Sequence, residues 1–207
     1  IDGERRDRMG VGALTAGVLG GGVFLLAGRK FSREHLSRTT FVLWASLLFG
    51  AALALRLWLG YSSQGFTTDT DTFKSWASLA NQVGFSELYE QDVFLDYPPG
   101  YLYVLALLDR IRMLLGLSVE SQAYTLLIKL PSLLADLYCA WVLLVVARRK
   151  RGEKTALFLS GVYLFCPAVL LNSAQWGQAD SFCTAIVLTS LLLLYKERDL
   201  PAAPLDG

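Results

Sequence analysis

The apolar residues of this chain form long, nearly uncharged blocks, and this feature limits the fold more than any other. The block from 39 to 60 contains one charged residue, Arg56. A helix of about 20 apolar residues is long enough to cross the hydrocarbon core of a bilayer. In lipid the backbone must satisfy its own hydrogen bonds, as a helix does. The sequence therefore predicts an all-α fold, a polytopic bundle of transmembrane helices.

Composition agrees with this class and excludes others. Hydrophobic residues make up 54% of the chain and the formal net charge is +1, so the bulk charge gives no reason to expect binding to nucleic acid. The single histidine, His35, gives no basis for a histidine-rich metal site or a catalytic triad. Cys139, Cys166 and Cys183 lie in apolar segments without paired spacing, and we interpret them as small core residues.

Basic residues orient the predicted spans. A first span at 9–28 leads into a basic loop, which the positive-inside rule assigns to the cytoplasm. The span at 39–60 then runs outward, and the basic cluster at 148–151 belongs in the cytoplasm again. An odd number of crossings is needed in between, yet there are two apolar segments, at 100–117 and 124–147. Either one of them does not cross, or the longer one breaks at Pro131.

The remaining sequence predicts an outward crossing at 155–171 and a return at 181–195, joined by a polar turn at 172–180. The chain then divides into three parts. Residues 1–60 form a transmembrane hairpin, residues 61–97 an external loop, and residues 98–207 further transmembrane helices.

The external loop is acidic and rich in aromatic residues. Its spacing predicts an interfacial helix that begins with a cap at Thr67, Thr68 or Asp69 and ends at Gly84, with its apolar side turned towards the membrane. That side consists of Phe73, Trp76, Ala77, Ala80 and Val83. The topology places Asp69, Asp96 and Asp180 on one extracytoplasmic face of the membrane.

Carboxylates in this setting can act as a general base, as metal ligands or as proton-relay groups. Sugar transfer with inversion needs one carboxylate near the acceptor hydroxyl and no enzymatic nucleophile. A lipid phosphate leaving group needs a cation or a helix N-terminus to receive its charge. Lys129, Arg56 and the glutamine-rich turn that contains Gln178 are the candidates for that contact.

Each candidate also has a purely structural interpretation. Asp69 and Asp180 are both placed to cap helices, and Asp96 precedes the Pro98-Pro99 turn. Lys129 and Arg56 can extend towards the membrane interface as isolated charges on spans do. Aromatic residues such as Trp176 are typical of the interfacial belt.

Four motifs follow one another in the chain: Thr68-Asp69 with Phe73 and Trp76-Ala77, then DYPPGYLY at 96–103, KLPSLLAD at 129–136 and NSAQWGQADS at 172–181. Together they resemble the GT-C class of polytopic membrane glycosyltransferases. The resemblance covers about residues 40 to 200. Its nearest branch is the bacterial mannosyltransferase-like proteins related to the GPI-anchor second mannosyltransferase. Members of this class are much longer, so the chain corresponds to the N-terminal part of the fold.

The resemblance implies a polyprenyl- or dolichyl-phosphate sugar donor, with mannose as the candidate sugar, and transfer on the outer or luminal face with inversion. The catalytic base is implied at Asp69, with Asp71 and then Asp96 as further catalytic candidates. Arg56, Lys129, Gln178 and Tyr97 are the candidate donor and phosphate contacts.

Asp180 is the candidate ligand of a divalent metal, Mg²⁺ or Mn²⁺, the one cofactor considered. The expected partners are a lipid-phosphate-linked sugar, membrane lipids, an acceptor of unknown identity and a further membrane chain. The alternative function is a non-catalytic membrane module, either a scaffold or assembly subunit or part of a transporter. A transporter is expected to carry charged or broken positions at mid-membrane in paired repeats.

Overall fold

The computed structural model of the protein describes residues 36–97 and 99–195. Every regular element in those two ranges is a helix, which confirms the prediction of an all-α chain. The predicted span at 9–28, the basic residues before position 36 and His35 lie outside the described residues.

The α-helices are α1 (Arg38–Ser62), α2 (Thr67–Val83), α3 (Pro99–Leu114), α4 (Gln122–Arg151), α5 (Glu153–Leu164), α6 (Pro167–Leu170) and α7 (Asp180–Tyr195). A 3₁₀ turn covers Leu88–Glu90, and a π-helical turn covers Leu171–Trp176.

Two of the described helices, α1 and α4, are long and apolar enough to cross a membrane, as judged by length and composition. A third span is present if α5 and the segment Pro167–Trp176, which meet at a bend of 46°, count as one. Helix α7 is apolar but shorter. These findings support a membrane protein, whereas the orientation of the helices and the complete bundle stay predictions.

Helix α4 continues through Pro131, so the alternative of a break at that position is wrong. A proline inside a helix removes one backbone hydrogen bond. Helix α4 packs against α1, α5 and α7. Helix α3 is not among the described helices that meet the same length and composition criteria for a span, and the number of crossings stays a prediction.

Helix α2 ends at Val83, as predicted, and the next residue, Gly84, adopts a φ of 83°. Its aromatic and alanine face is buried, as expected from the sequence, but it packs on α3 and α4 rather than on lipid. Phe73 and Trp76 contact this core, with Leu102 and Leu105 on the other side. The prediction that these side chains face the membrane is therefore wrong, because α3 folds back and covers them.

The interpretation of the cysteines as core residues holds for Cys139, which is buried, and fails for Cys183. Cys183 is exposed because α7 contributes little side-chain burial in the described part of the chain. Helix α1 packs against α4 and α5, and this packing joins the beginning of the described chain to its longest helix.

Candidate functional site

The N-terminus of α2 is attached to the π-helical turn. Helix α2 begins at Thr67, and the capping position is Phe66, which offers no side-chain hydrogen bond. The amide of Phe66 donates instead to the carbonyl of Trp176 at 2.9 Å, and the two rings lie 5.3 Å apart. Asp69 therefore lies in the first turn of α2, and its prediction as the cap is wrong because the chain enters the helix through Phe66.

The carboxylate of Asp69 is held from one side. Trp176 Nε1 donates to Asp69 Oδ2 at 3.0 Å, and Gln178 Nε2 donates to the same oxygen. The second oxygen, Oδ1, accepts no hydrogen bond from a described residue. Two donors thus fix the orientation of a half-buried carboxylate while one of its oxygens stays available.

The π-helical turn sets the positions of these donors. It ends at Gly177, whose φ of 95° lies in the left-handed region. The amides of Gly177 and Gln178 both donate to the carbonyl of Asn172 at 3.1 Å, and the side-chain amide of Asn172 donates to Asp180 Oδ2 at 3.1 Å. Single π-helical turns are frequent at functional sites because the extra residue changes where the following side chains point.

Tyr97 joins the remaining carboxylates to this site. Burial raises the pKa of the Tyr97 phenol, and the neighbouring acidic groups, Asp180, Cys183, Asp96 and Asp69, raise it further. Three carboxylates, on α2, beside Tyr97 and at the start of α7, therefore lie close enough to the phenol to raise its pKa. We call Asp69, Asp96 and Asp180, together with Tyr97, the acidic cluster.

Aromatic packing holds Tyr97 in the cluster. Its ring lies 5.3 Å from that of Phe73 and 5.6 Å from that of Trp76, both on the buried face of α2. The ring of Tyr101, in the first turns of α3, lies 5.5 Å away. Asp96 and Asp180 themselves are exposed.

Asp71 lies away from the acidic cluster. Two residues correspond to about 200° around a helix, so Asp69 and Asp71 point in opposite directions from α2. Asp71 is largely exposed, and its nearest described charge is the ammonium of Lys74 at 3.7 Å. The sequence grouped the two aspartates as alternative bases, but the helix separates them.

Lys129 is enclosed by carbonyl groups. Its Nζ donates to the backbone oxygens of Gly60, Ser63, Ala174 and Gln175 at 3.3, 2.7, 3.1 and 3.5 Å. The side chain is completely buried. In this arrangement the ammonium attaches α4 to the end of α1 and to the π-helical turn, and it makes no hydrogen bond with a side chain of the acidic cluster.

Arg56 is also buried, in an ion pair with Asp136. Arg56 Nε lies 3.1 Å from Asp136 Oδ2, and neither side chain is exposed. Ser173 Oγ donates to the same carboxylate oxygen at 2.6 Å. The interpretation of Arg56 as a residue that extends to the interface is wrong, because a partner for its charge lies inside the bundle.

Sequence reasoning missed two of these partners. Trp176 was interpreted as a residue of the interfacial aromatic belt, although it donates to Asp69. Asp136 was only part of a motif, although an acidic residue within a predicted span usually has a charged partner nearby. The presence of Arg56 and Asp136 in two predicted spans was the signal that would have suggested the pair.

Asp180 is the candidate metal ligand. Within residues 36–97 and 99–195, no three or more His, Cys, Asp or Glu side chains are grouped so that they could hold a metal ion. Asp180 Oδ2 accepts a hydrogen bond from the side-chain amide of Asn172. The divalent metal predicted at Asp180 stays a prediction.

No family model matches the chain, and no curated protein or solved structure is significantly similar to it.

Proposed function

We propose that the chain belongs to a membrane glycosyltransferase that transfers a sugar from a polyprenyl-phosphate donor to an acceptor hydroxyl. The observation that carries this proposal is the oriented carboxylate of Asp69, bound through Oδ2 by Trp176 and Gln178 with Oδ1 available. A general base must have a fixed direction and a free oxygen within reach of the proton that it removes.

In the proposed reaction the oxygen of the acceptor hydroxyl attacks the anomeric carbon of the donor sugar. Asp69 Oδ1 accepts the proton of that hydroxyl during the attack. The bond from this carbon to the phosphate oxygen breaks, and the bonding electrons leave with the lipid phosphate. One displacement inverts the configuration at the sugar, and no covalent enzyme intermediate forms. Trp176 and Gln178 act as positioning residues for the base.

Tyr97 is suited to donate a hydrogen bond in this reaction. Since burial and the surrounding acidic groups raise the pKa of its phenol, the hydroxyl keeps its proton at neutral pH. Such a donor can bind a sugar hydroxyl or an oxygen of the leaving phosphate. The amide groups in the first turn of α2 are a second source of positive potential close to Asp69. Arg56 and Lys129 have no role in this proposal, because their side chains are fully buried.

The test is sugar transfer from a polyprenyl-phosphate donor in reconstituted membranes by the protein and its Asp69→Asn variant. Loss of a general base typically lowers the rate by about 10²–10⁴-fold, so the variant is expected to lose nearly all transfer. Asp71→Asn is the matched control, because it makes the same chemical change two residues away on the opposite side of α2 and should keep most of the activity.

The two variants also separate the alternatives. If Asp69→Asn transfers sugar at the normal rate, the general base is a different residue, and Asp96 becomes the candidate to test. If the unaltered protein transfers nothing from any polyprenyl-phosphate sugar tried, the non-catalytic scaffold or transport function takes the place of this proposal.

A further inference from the structure

A groove with a mixed polar and apolar lining lies on the side of α2 that faces away from Asp69. It encloses about 610 Å³ between α2 and the connection from α3 to α4. A narrower pocket of about 70 Å³ adjoins it, and both are lined by Asp71, Lys74 and Glu120. The function proposed above uses neither space.

Lys74 is the central group of this groove. Its side chain is 9% exposed, and its only described ion pair is the 3.7 Å contact with Asp71. The ammonium lies 5.9 Å from the centre of the Tyr124 ring, and it makes no hydrogen bond with a described residue. An ammonium has three N–H donors, so an oxygen of a ligand in the groove can accept from Lys74 in place of water.

The charges around Lys74 select against a charged ligand. Two exposed carboxylates, Asp71 and Glu120, lie beside one ammonium. A third, Asp109, also lines the groove, but its oxygens are already bonded to Asn81 and Arg112. An anion would be repelled by the two exposed carboxylates, and a cation attracted to them would be repelled by Lys74. A neutral ligand with hydroxyl groups can donate to the carboxylates and accept from the ammonium without either repulsion.

The other side chains favour a ligand that carries many hydroxyl groups. Ser75, Ser78 and Gln82 offer both donors and acceptors along one wall. Leu79, Val93 and Val119 supply apolar surface on the remaining walls. Sugars present hydroxyls at their edges and C–H groups on their faces, which matches this mixed lining.

We infer that this groove is a binding site for neutral sugar residues, with Lys74 donating to a sugar hydroxyl and Asp71 and Glu120 accepting from others. The site lies on the opposite side of α2 from the acidic cluster, so it holds a sugar that is not itself at the reacting centre. Binding there requires no transfer activity.

The experiment is saturation-transfer NMR with mannobiose as the probe and the whole protein in detergent micelles. We expect saturable binding that weakens about tenfold or more in Lys74→Met, since hydrogen bonds from charged groups are among the stronger ones. Glu120→Gln is expected to weaken binding several-fold, and because Glu120 is exposed in a loop, this variant keeps the result interpretable if Lys74→Met does not fold. Glu90→Gln is the matched control, because Glu90 is exposed and lines neither pocket, and this variant should bind mannobiose normally.

The competing ligand classes give distinct results. Saturable binding of inorganic phosphate or glucosamine that exceeds mannobiose binding and depends on Lys74 would overturn the neutral-sugar assignment. Absence of mannobiose binding, or binding unaffected by both groove variants, would also overturn it. A protein that binds mannobiose in the groove but transfers no sugar would refute the transferase proposal and leave this inference intact.

Discussion

The guanidinium of Arg56 and the carboxylate of Asp136 pair at 3.1 Å across two candidate membrane-spanning helices, with both side chains fully buried. Arg56 Nη2 and Asp136 Oδ1 are buried without a hydrogen-bond partner in the described part of the chain. The hydrogen-bonding capacity of the ion pair is thus not fully used. Substitutions of Arg56 and Asp136 should therefore change the stability in a way that depends on whether one or both charges are removed.

Arg56→Met and Asp136→Leu should each destabilise the protein by about 3–5 kcal/mol, because either change leaves one charge buried without its partner. The double variant should be much closer to the unaltered protein, since apolar pairs often replace buried ion pairs at little cost. Unfolding of the four proteins in detergent measures this as a double-mutant cycle. Additive losses in the double variant would show that the two charges do not stabilise each other.

Trp176→Phe should lower sugar transfer about tenfold, the effect expected from losing one hydrogen bond to a charged group. The substitution keeps an aromatic ring next to Phe66 while it removes the N–H that donates to Asp69. Turnover is expected to fall more than the affinity for donor. Trp58→Phe serves as the control, because Trp58 is exposed and distant in sequence from the π-helical turn. Equal effects of the two substitutions would argue against a positioning role.

Gly65→Ala should be far more destabilising than Gly84→Ala, although both glycines have a φ of 83°. The positive φ costs any alanine about 1–2 kcal/mol. A methyl group at Gly65 would in addition come 2.6 Å from the carbonyl oxygen of Trp176, whereas at Gly84 nothing lies within 4 Å. Overpacking of this kind costs about 1–3 kcal/mol, so the difference between the two unfolding free energies should fall in that range.

Stability should fall in acid partly through Asp109. Burial alone would raise the pKa of this carboxyl, but hydrogen bonds from Arg112, Asn81 and Tyr124 at 2.6, 3.1 and 3.0 Å lower it overall. A group whose pKa is lower in the folded state contributes stability above its unfolded pKa of about 3.9 and loses it as pH falls through the folded value.

The Asp109→Asn variant should therefore be less stable than the unaltered protein at neutral pH and should depend less on pH below about 4. Unfolding measured between pH 2 and 7 checks this. Asp92→Asn, at an exposed position, is the control. Parallel pH profiles for Asp109→Asn and the unaltered protein would contradict the assignment.

The helical class, the positions of most helices and the buried face of α2 could be predicted from the sequence, because they depend on local periodicity and on long apolar blocks. The distribution of basic residues and the count of spans predict that Asp69 and the turn around Gln178 lie on the same face of the membrane, and the two are in contact. The surroundings of Lys129 could not be predicted, since they require the ends of α1 and of the π-helical turn to meet. Local patterns also gave no sign that α3, rather than lipid, covers Phe73 and Trp76.

The carbonyls around Lys129 belong to two segments, the end of α1 and the π-helical turn, while the ammonium belongs to α4. If either segment moved alone, the buried ammonium of Lys129 would lose hydrogen-bond acceptors. The two segments and α4 must therefore move together. The wall of the acidic cluster that carries Trp176 and Gln178 is therefore anchored.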